Sequence, residues 1–419
     1  MGAFAGFLLA GTREVFRGGW AYWGWLAALV AVAAVGVMHY VQQLETGLIV
    51  TGMSDQVSWG AYIANFTYLV GVAAAAVMLV IPAYVFHRQD IKHVVLIGEG
   101  IAVAAVTMCI LFVFVDLGRP DRIWHMIPLL GRFHFPASML AWDVVVLSGY
   151  GLLNIGIPAY ILFSKYRGSE PRAAVYFPWV IVSIFWAISI HTVTAFLFSS
   201  NVARPFWNTA VLGPRFLASA FTSGPALIVL ALQVIDRFSE FEVKREVIDF
   251  MALIITVALQ INLFLLGVEL FTDFYFPTAH GESAEYLFFG LHGYNALVPW
   301  IWTAIGFNVV AVVILTLHPF RQQRVLLNLA CLLAVVGVWI EKGMGLIIPG
   351  FIPTPVGEMF DYSPTRVEIF VSLGVWAIGL IVFTLLTKIA IPIELGTLTR
   401  AARGKALPRR PARDGGGSE

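Results

Sequence analysis

The densest run of chemistry-bearing residues is Asp116-Leu-Gly-Arg119-Pro-Asp121-Arg122-Ile-Trp124-His125-Met. Gly118 and Pro120 end a helix here, and two acids and two arginines can neutralise one another beside Trp124, a residue suited to a membrane interface. That is one reading, a salt-bridged helix terminus. The other uses Asp143, one turn inside the next apolar segment, which can approach His125. A carboxylate beside an imidazole can exchange protons with a small redox molecule.

Other candidates follow along the chain. His191 sits in Ser189-Ile-His191-Thr192-Val-Thr194, where three hydroxyls can hold it as a structural histidine or leave it as a proton relay. Glu269 and Asp273, four apart, stack on one helix face. Like charges at that spacing repel, so one stays protonated or the two share a proton or cation. The adjacent Glu341 and Lys342 diverge by about 100° on a helix and are expected to pair with other helices. Interhelical ion pairing is the plainer reading for both sites. Asn65 serves as a helix–helix bond or a ligand contact, close to the small residues Ala73 to Ala76. Most of these groups fall on one side of the chain's apolar segments; Glu99 is the exception.

Composition defines the elements that must position them. The 419 residues are 59% hydrophobic and 12% charged, with mean hydropathy +0.84 and net charge +1. Soluble domains carry about 25% charged residues, so disorder, a disulfide scaffold and an ordinary soluble enzyme are excluded. No basic field argues for nucleic acid. Cys109 and Cys331 are the only cysteines, too few for an iron–sulfur centre or Cys-rich zinc site, and no metal ligand set is read.

A membrane span needs about 20 apolar residues. Ten candidates lie at 20–42, 58–86, 93–115, 138–163, 174–199, 209–235, 248–272, 289–317, 325–350 and 367–392. The expected class is an all-α polytopic membrane protein. No signal peptide is expected, because the first long apolar run is of full span length. With the N-terminus inside, nineteen of the 26 Lys and Arg fall on the cytoplasmic side, so both termini are placed there. The chain divides into a cytoplasmic segment 1–19, a transmembrane domain 20–396 and a disordered basic tail 397–419 that faces anionic lipid.

Three functions fit this pattern: a quinone-handling redox subunit, a haem-b cytochrome and a secondary transporter. Only His39, His191 and His292 lie in or at the outer halves of spans, which allows one haem and not a transmembrane chain of haems. Paired Gly/Pro-broken helices, the pointer to a transporter, are not evident.

The Asp116–Met126 run resembles the polysulfide reductase/NrfD family of membrane subunits. Thr51-Gly-Met-Ser-Asp55 through Asn65-Phe-Thr, Ser189-Ile-His191-Thr-Val-Thr, Gly213-Pro-Arg215-Phe-Leu-Ala-Ser and Leu291-His292-Gly-Tyr-Asn295-Ala-Leu-Val-Pro-Trp300 are similar to its ten-helix branch. The likeness covers residues 12–396 and is nearest the DsrP type of the DsrMKJOP complexes, with the Hmc, Qrc and alternative complex III subunits as relatives. It implies two four-helix bundles plus peripheral helices, with no haem or iron–sulfur cluster of the chain's own, in a prokaryotic cytoplasmic (inner) membrane. It also implies a menaquinone or ubiquinone site near the outer face. The implied partners are an extracytoplasmic ferredoxin-like iron–sulfur protein, a c-type haem protein and other redox proteins of the membrane and cytoplasm. Carried onto this sequence, His125, Asp143, Arg119, Asp116 and Asn65 are the expected quinone-binding residues. His191, Glu269, Asp273 and Glu99 are the expected proton-transfer residues. Quinol oxidation at such a site would release protons outside.

Overall fold

A computed structural model describes residues 2–127, 129–275 and 278–399. The predicted tail is described only as far as Thr399; its remainder lies outside the described residues. Among the described residues ten helices are long and apolar enough to cross a bilayer: α1 (Trp20–Thr46), α2 (Ala61–Val85), α3 (Val95–Asp116), α4 (Met139–Tyr166), α5 (Ala173–Ser199), α6 (Leu212–Phe238), α7 (Arg245–Tyr275), α8 (Val298–Thr316), α9 (Arg324–Phe351) and α10 (Arg366–Glu394). At 1.5 Å per residue even α8, with 19 residues, extends about 28 Å, close to the thickness of a hydrocarbon core. The even number of spans leaves both chain ends on one side, called inner below after the bias in basic residues.

The spans pack as expected. Helices α2 to α5 close one four-helix bundle and α6 to α9 a second, joined along α2 and α6. Helices α1 and α10 pair with each other and lie against the first bundle through α3. Two glycine contacts permit these approaches. A methyl added at Gly224 on α6 would fall 2.0 Å from the Ala75 Cβ of α2, and one added at Gly374 on α10 would fall 2.7 Å from the Gly36 Cα of α1. The short helix Ala3–Val15 is pinned at the inner end, where Ala10 packs with Tyr166 and Ile393.

Two spans are less regular than their sequences suggest. Helix α2 is interrupted after Ala74 and ends in a π turn, Ile81–Val85, that contains Pro82; α9 carries a π turn at Ile340–Met344. Such turns recur at functional sites because they redirect side chains, and the second one holds Glu341 and Lys342. The eighth span begins at Val298 rather than 289. Gly290, His292 and Gly293 all adopt positive φ, and Leu291 pairs with Tyr294 in a tight turn, a conformation no helix can include. His292 therefore lies outside the span.

Replacing Gly374 by Leu forces α1 away from α10. Overpacking of this kind costs about 1–3 kcal/mol, so thermal unfolding of the purified variant in detergent is expected at a lower midpoint. An unchanged midpoint would show that the close approach contributes nothing.

Candidate functional site

At the outer end α3 stops at Asp116 and a 3₁₀ turn, Pro120–Met126, follows. Arg119 donates two hydrogen bonds to Asp121, at 3.0 and 2.8 Å, and both side chains are exposed. The guanidinium holds the Asp121 carboxyl below the usual carboxylate range. The salt-bridge reading therefore describes these two residues. His125 is exposed and stacks on Trp124, ring centroids 3.9 Å apart.

The expected approach of Asp143 to His125 is not formed. Asp143 is buried in α4 and accepts a 2.7 Å hydrogen bond from Thr194 on α5. Among the described residues neither a hydrogen bond nor an ion pair joins it to His125. The physical reason is local: the 3₁₀ turn carries the imidazole out to the surface, while a hydroxyl from the neighbouring helix satisfies the carboxylate. His191, fully buried, is not held by its neighbouring hydroxyls either. Ser189 and Thr192 each donate to the carbonyl four residues back, and the single Thr194 proton is shared between Asp143 and the Ile190 carbonyl. The His191 Nδ1 lies 3.1 Å from the Ala187 carbonyl, which only accepts, so Nδ1 carries the proton. Its Nε2 is buried without a partner. His191 and Thr194, three apart, place an imidazole and the Asp143 hydrogen bond on one face of α5.

The second bundle is organised around Arg215, near the outer end of α6. Its guanidinium forms an ion pair with Glu269 on α7 and donates to Glu341 on α9 at 2.9 Å. Asn262 of α7 donates to both Glu341 oxygens at 3.2 and 3.3 Å, and Asn308 of α8 donates at 2.8 Å. Lys342 donates to the Phe216 carbonyl at 3.2 Å and sits 4.0 Å above that ring. Two cations thus balance two carboxylates in a space whose cavity, about 10 Å³, barely holds one water. The repulsion expected between Glu269 and Asp273 is answered by Arg215 at Glu269. Glu341 and Lys342 do pair with other helices, as the sequence suggests. Arg215 as their hub went unrecognised; the signal available was an arginine just inside an apolar span.

Asn65 lies one turn, about 6 Å, inside α2. Its Oδ1 accepts from the indoles of Trp339 on α9 and Trp376 on α10, at 3.0 and 2.9 Å. Indole nitrogens only donate, which fixes the amide orientation. One Nδ2 proton goes to the Ala61 carbonyl at 2.8 Å, leaving the second to serve another acceptor. The amide lines a groove of about 490 Å³ between α2, α9 and α10, whose walls include Trp300, Trp339, Trp376, Val335, Met344 and Leu373.

The outer rim of this groove, at Ala61 and Pro364, leads into a polar chain. Tyr362 accepts from the Ala61 amide at 2.7 Å and donates to Glu368 at 2.6 Å. Burial first, then the Glu368 carboxylate, push the Tyr362 phenol far above its ordinary value, so it remains a donor. Glu368, fully buried at the start of α10, also accepts from the amides of Gly52 and Thr365 at 2.7 and 2.9 Å. Asp116 lies within electrostatic reach of Glu368, and its Oδ1 is buried without a partner. Glu368 also escaped the sequence reading, hidden as the Glu of a Thr365–Glu368 capping box. Glu99 stands apart in the inner half of α3, buried, with Oε2 unpartnered.

The candidate residues therefore fall into four groups besides the isolated Glu99. These are the exposed turn (Arg119, His125), the α4–α5 face (Asp143, His191), the α6–α9 network (Glu269) and the groove with its polar rim (Asn65, Asp116). Among the described residues no three His, Cys, Asp or Glu side chains converge as a metal site.

The profile of the family described as "Polysulphide reductase, NrfD" matches residues 49–353. A putative membrane subunit of dimethyl sulfoxide reductase from Halobacterium salinarum is 27% identical over 86% of this chain and 89% of its own length. The "Hdr-like menaquinol oxidoreductase integral membrane subunit" of Archaeoglobus fulgidus is 25% identical over 88% and 93%. A selenate reductase subunit from Mesobacillus selenatarsenatis is 23% identical over 92% and 97%.

Removing Arg215 strands two buried carboxylates. Breaking a buried ionic cluster in this way costs about 3–5 kcal/mol, so Arg215→Leu is expected to unfold at a markedly lower temperature than the parent. Arg215→Lys should recover only part of that loss, because an ammonium lacks the fork that reaches both acids. Equal stability of parent and Arg215→Leu would remove the network from the protein's support.

Proposed function

The chain belongs to the polysulphide reductase NrfD family, and on that footing we propose that it is the quinone-interacting membrane subunit of a respiratory redox complex, passing electrons between the quinone pool and a partner at the outer face. The observation that carries this reading is the groove at Asn65. It is walled by apolar and indole side chains and supplied with a spare amide proton at its polar end. A flat ring with carbonyl oxygens and an isoprenoid tail, menaquinone or ubiquinone, suits such a lining.

Oxidation of a quinol removes two electrons and two protons. The electrons leave singly to the partner's metal centre. Asn65 orients a ring oxygen, and the Tyr362–Glu368 chain, with Asp116 beyond it, takes the protons to the outer surface. Asp143 and His191 are proposed as a second proton-holding face, with Glu269 and Asp273 in the other bundle and Glu99 toward the inner side. Arg119 and His125, exposed with Trp124, are proposed to meet an extracytoplasmic ferredoxin-like iron–sulfur protein. A c-type haem protein as a further partner, a role in sulfur or sulfite metabolism, and a prokaryotic cytoplasmic membrane belong to the same proposal. They rest on the motif likeness to DsrP-type proteins.

Menaquinol oxidation by the intact complex tests the site. Asn65→Leu is expected to lower kcat/KM at least tenfold, mainly through KM, and Glu368→Gln to lower kcat with little change in KM. Asn65→Leu without effect, while Asp143→Asn or His125→Ala abolishes turnover, would move the ring to the first bundle and defeat the groove assignment.

A further inference from the structure

The inner ends of α6, α7 and α9 enclose a cavity of about 600 Å³, remote from every residue used above. Three guanidiniums line it: Arg237, Arg245 and Arg324. Arg245 is fixed to the wall, donating to Asp249 at 3.0 Å and to the Gln322 carbonyl at 2.6 Å. Arg237 and Arg324 make no hydrogen bond or ion pair among the described residues. One acid, Asp236, shares the lining and accepts from the Val243 amide at 3.0 Å. Gln233 on α6 donates to Asn328 on α9 across the cavity floor.

Positive charge therefore outweighs negative, and the backbone adds to it. Helices α7 and α9 begin at Arg245 and Arg324, so two positive helix ends converge here. The lining includes exposed apolar side chains: Phe238 is 82% exposed and Val234 57%. Exposed apolar side chains on a spanning helix face acyl chains.

We propose that this cavity binds the phosphate group of an anionic phospholipid, with the acyl chains lying along Phe238 and Val234. A soluble phosphate compound shares the anionic chemistry but has no use for these apolar side chains. Basic pockets between spans at the cytoplasmic surface take up lipid headgroups in this manner. The side matches, since the cavity opens at the end of the molecule that carries the chain's basic bias. The headgroup would tie α6 to α7 and α9 where the second bundle's helices diverge.

Purified full-length protein in detergent is titrated with phosphatidylglycerol, phosphatidylcholine or inorganic phosphate, and bound lipid is counted by native mass spectrometry alongside the unfolding midpoint. Phosphatidylglycerol is expected to bind and to raise the midpoint more than phosphatidylcholine does. The double variant Arg237→Gln/Arg324→Gln should weaken that binding about 10- to 30-fold, from about one kcal/mol for each near-surface arginine. Arg17→Gln, at the same surface outside the cavity, should leave it unchanged. Equal binding of the two lipids, or undiminished binding by the double variant, overturns the proposal. So does a full midpoint shift produced by inorganic phosphate alone, which would assign the cavity to a soluble anion.

Discussion

Gly224 on α6 approaches Ala75 on α2 so closely that no side chain could stand in its place, and the arrangement of the other helices follows from that contact. In a bilayer, lipid is as apolar as the helix surfaces, so association depends on close packing and on polar contacts between helices rather than on escape from water. The alanine run 73–76 and Gly71 against Ala220 make α2 flat enough to lie between the bundles. Once wedged there, α2 is buried along nearly its whole length, and its outer third must meet helices of both the second bundle and the peripheral pair. Asn65 touches α9 and α10 together for that reason. A bulkier α2 would separate Trp339 from Trp376 and dissolve the groove between them.

The few buried charges obey a second constraint. A lone charge in hydrocarbon is costly enough that it pairs, hydrates or neutralises. In the second bundle the buried charges are paired: Arg215 serves two carboxylates, two asparagines donate to Glu341, and Lys342 rests on a carbonyl and a ring, while the Asn262 and Asn308 Oδ1 atoms are left buried without a partner. The first bundle and its periphery are otherwise. The His191 Nε2, the Asp116 Oδ1 and the Glu99 Oε2 are buried with no partner. Paired charges hold helices in place, whereas titratable groups left with open hydrogen-bond capacity suit protons that come and go, which an asparagine carbonyl does not. This contrast assigns Arg215 a scaffolding part and makes the outer end of α3, with α10 beside it, the better ground for proton chemistry.

Span number, helix class and the two-bundle grouping were legible in the sequence, because hydropathy over twenty residues is a strong signal and the motif likeness supplied the grouping. The partners of Glu341 and Lys342 on other helices were anticipated in kind. What escaped was pairwise. Arg215 and Glu341 are 126 positions apart, and nothing local marks them as partners. Glu368 carried no local mark beyond the third helical position of an ordinary capping box. His125 and Asp143 looked close because both stand near the same turn in sequence, yet seven residues of 3₁₀ helix suffice to carry one outward while the other stays within. The start of α8 failed for a related reason: positive φ at His292 is invisible to hydropathy.

Distance between functions follows from this geometry. The exposed Arg119–His125 turn continues directly from Asp116, the last residue of α3, and Asp116 in turn lies beside the Glu368 chain at the groove's rim. A partner seated on that turn would stand over the same helix end that, under the proposed function, would receive protons from the groove. Electrons and protons leaving a quinol would then diverge within one helix terminus, the electrons upward into the partner and the protons through carboxylates to the outer water. Such a layout would place both exits of a two-electron, two-proton oxidation at a single helix end, which is why the turn after α3 and the carboxylates beside it belong to one site.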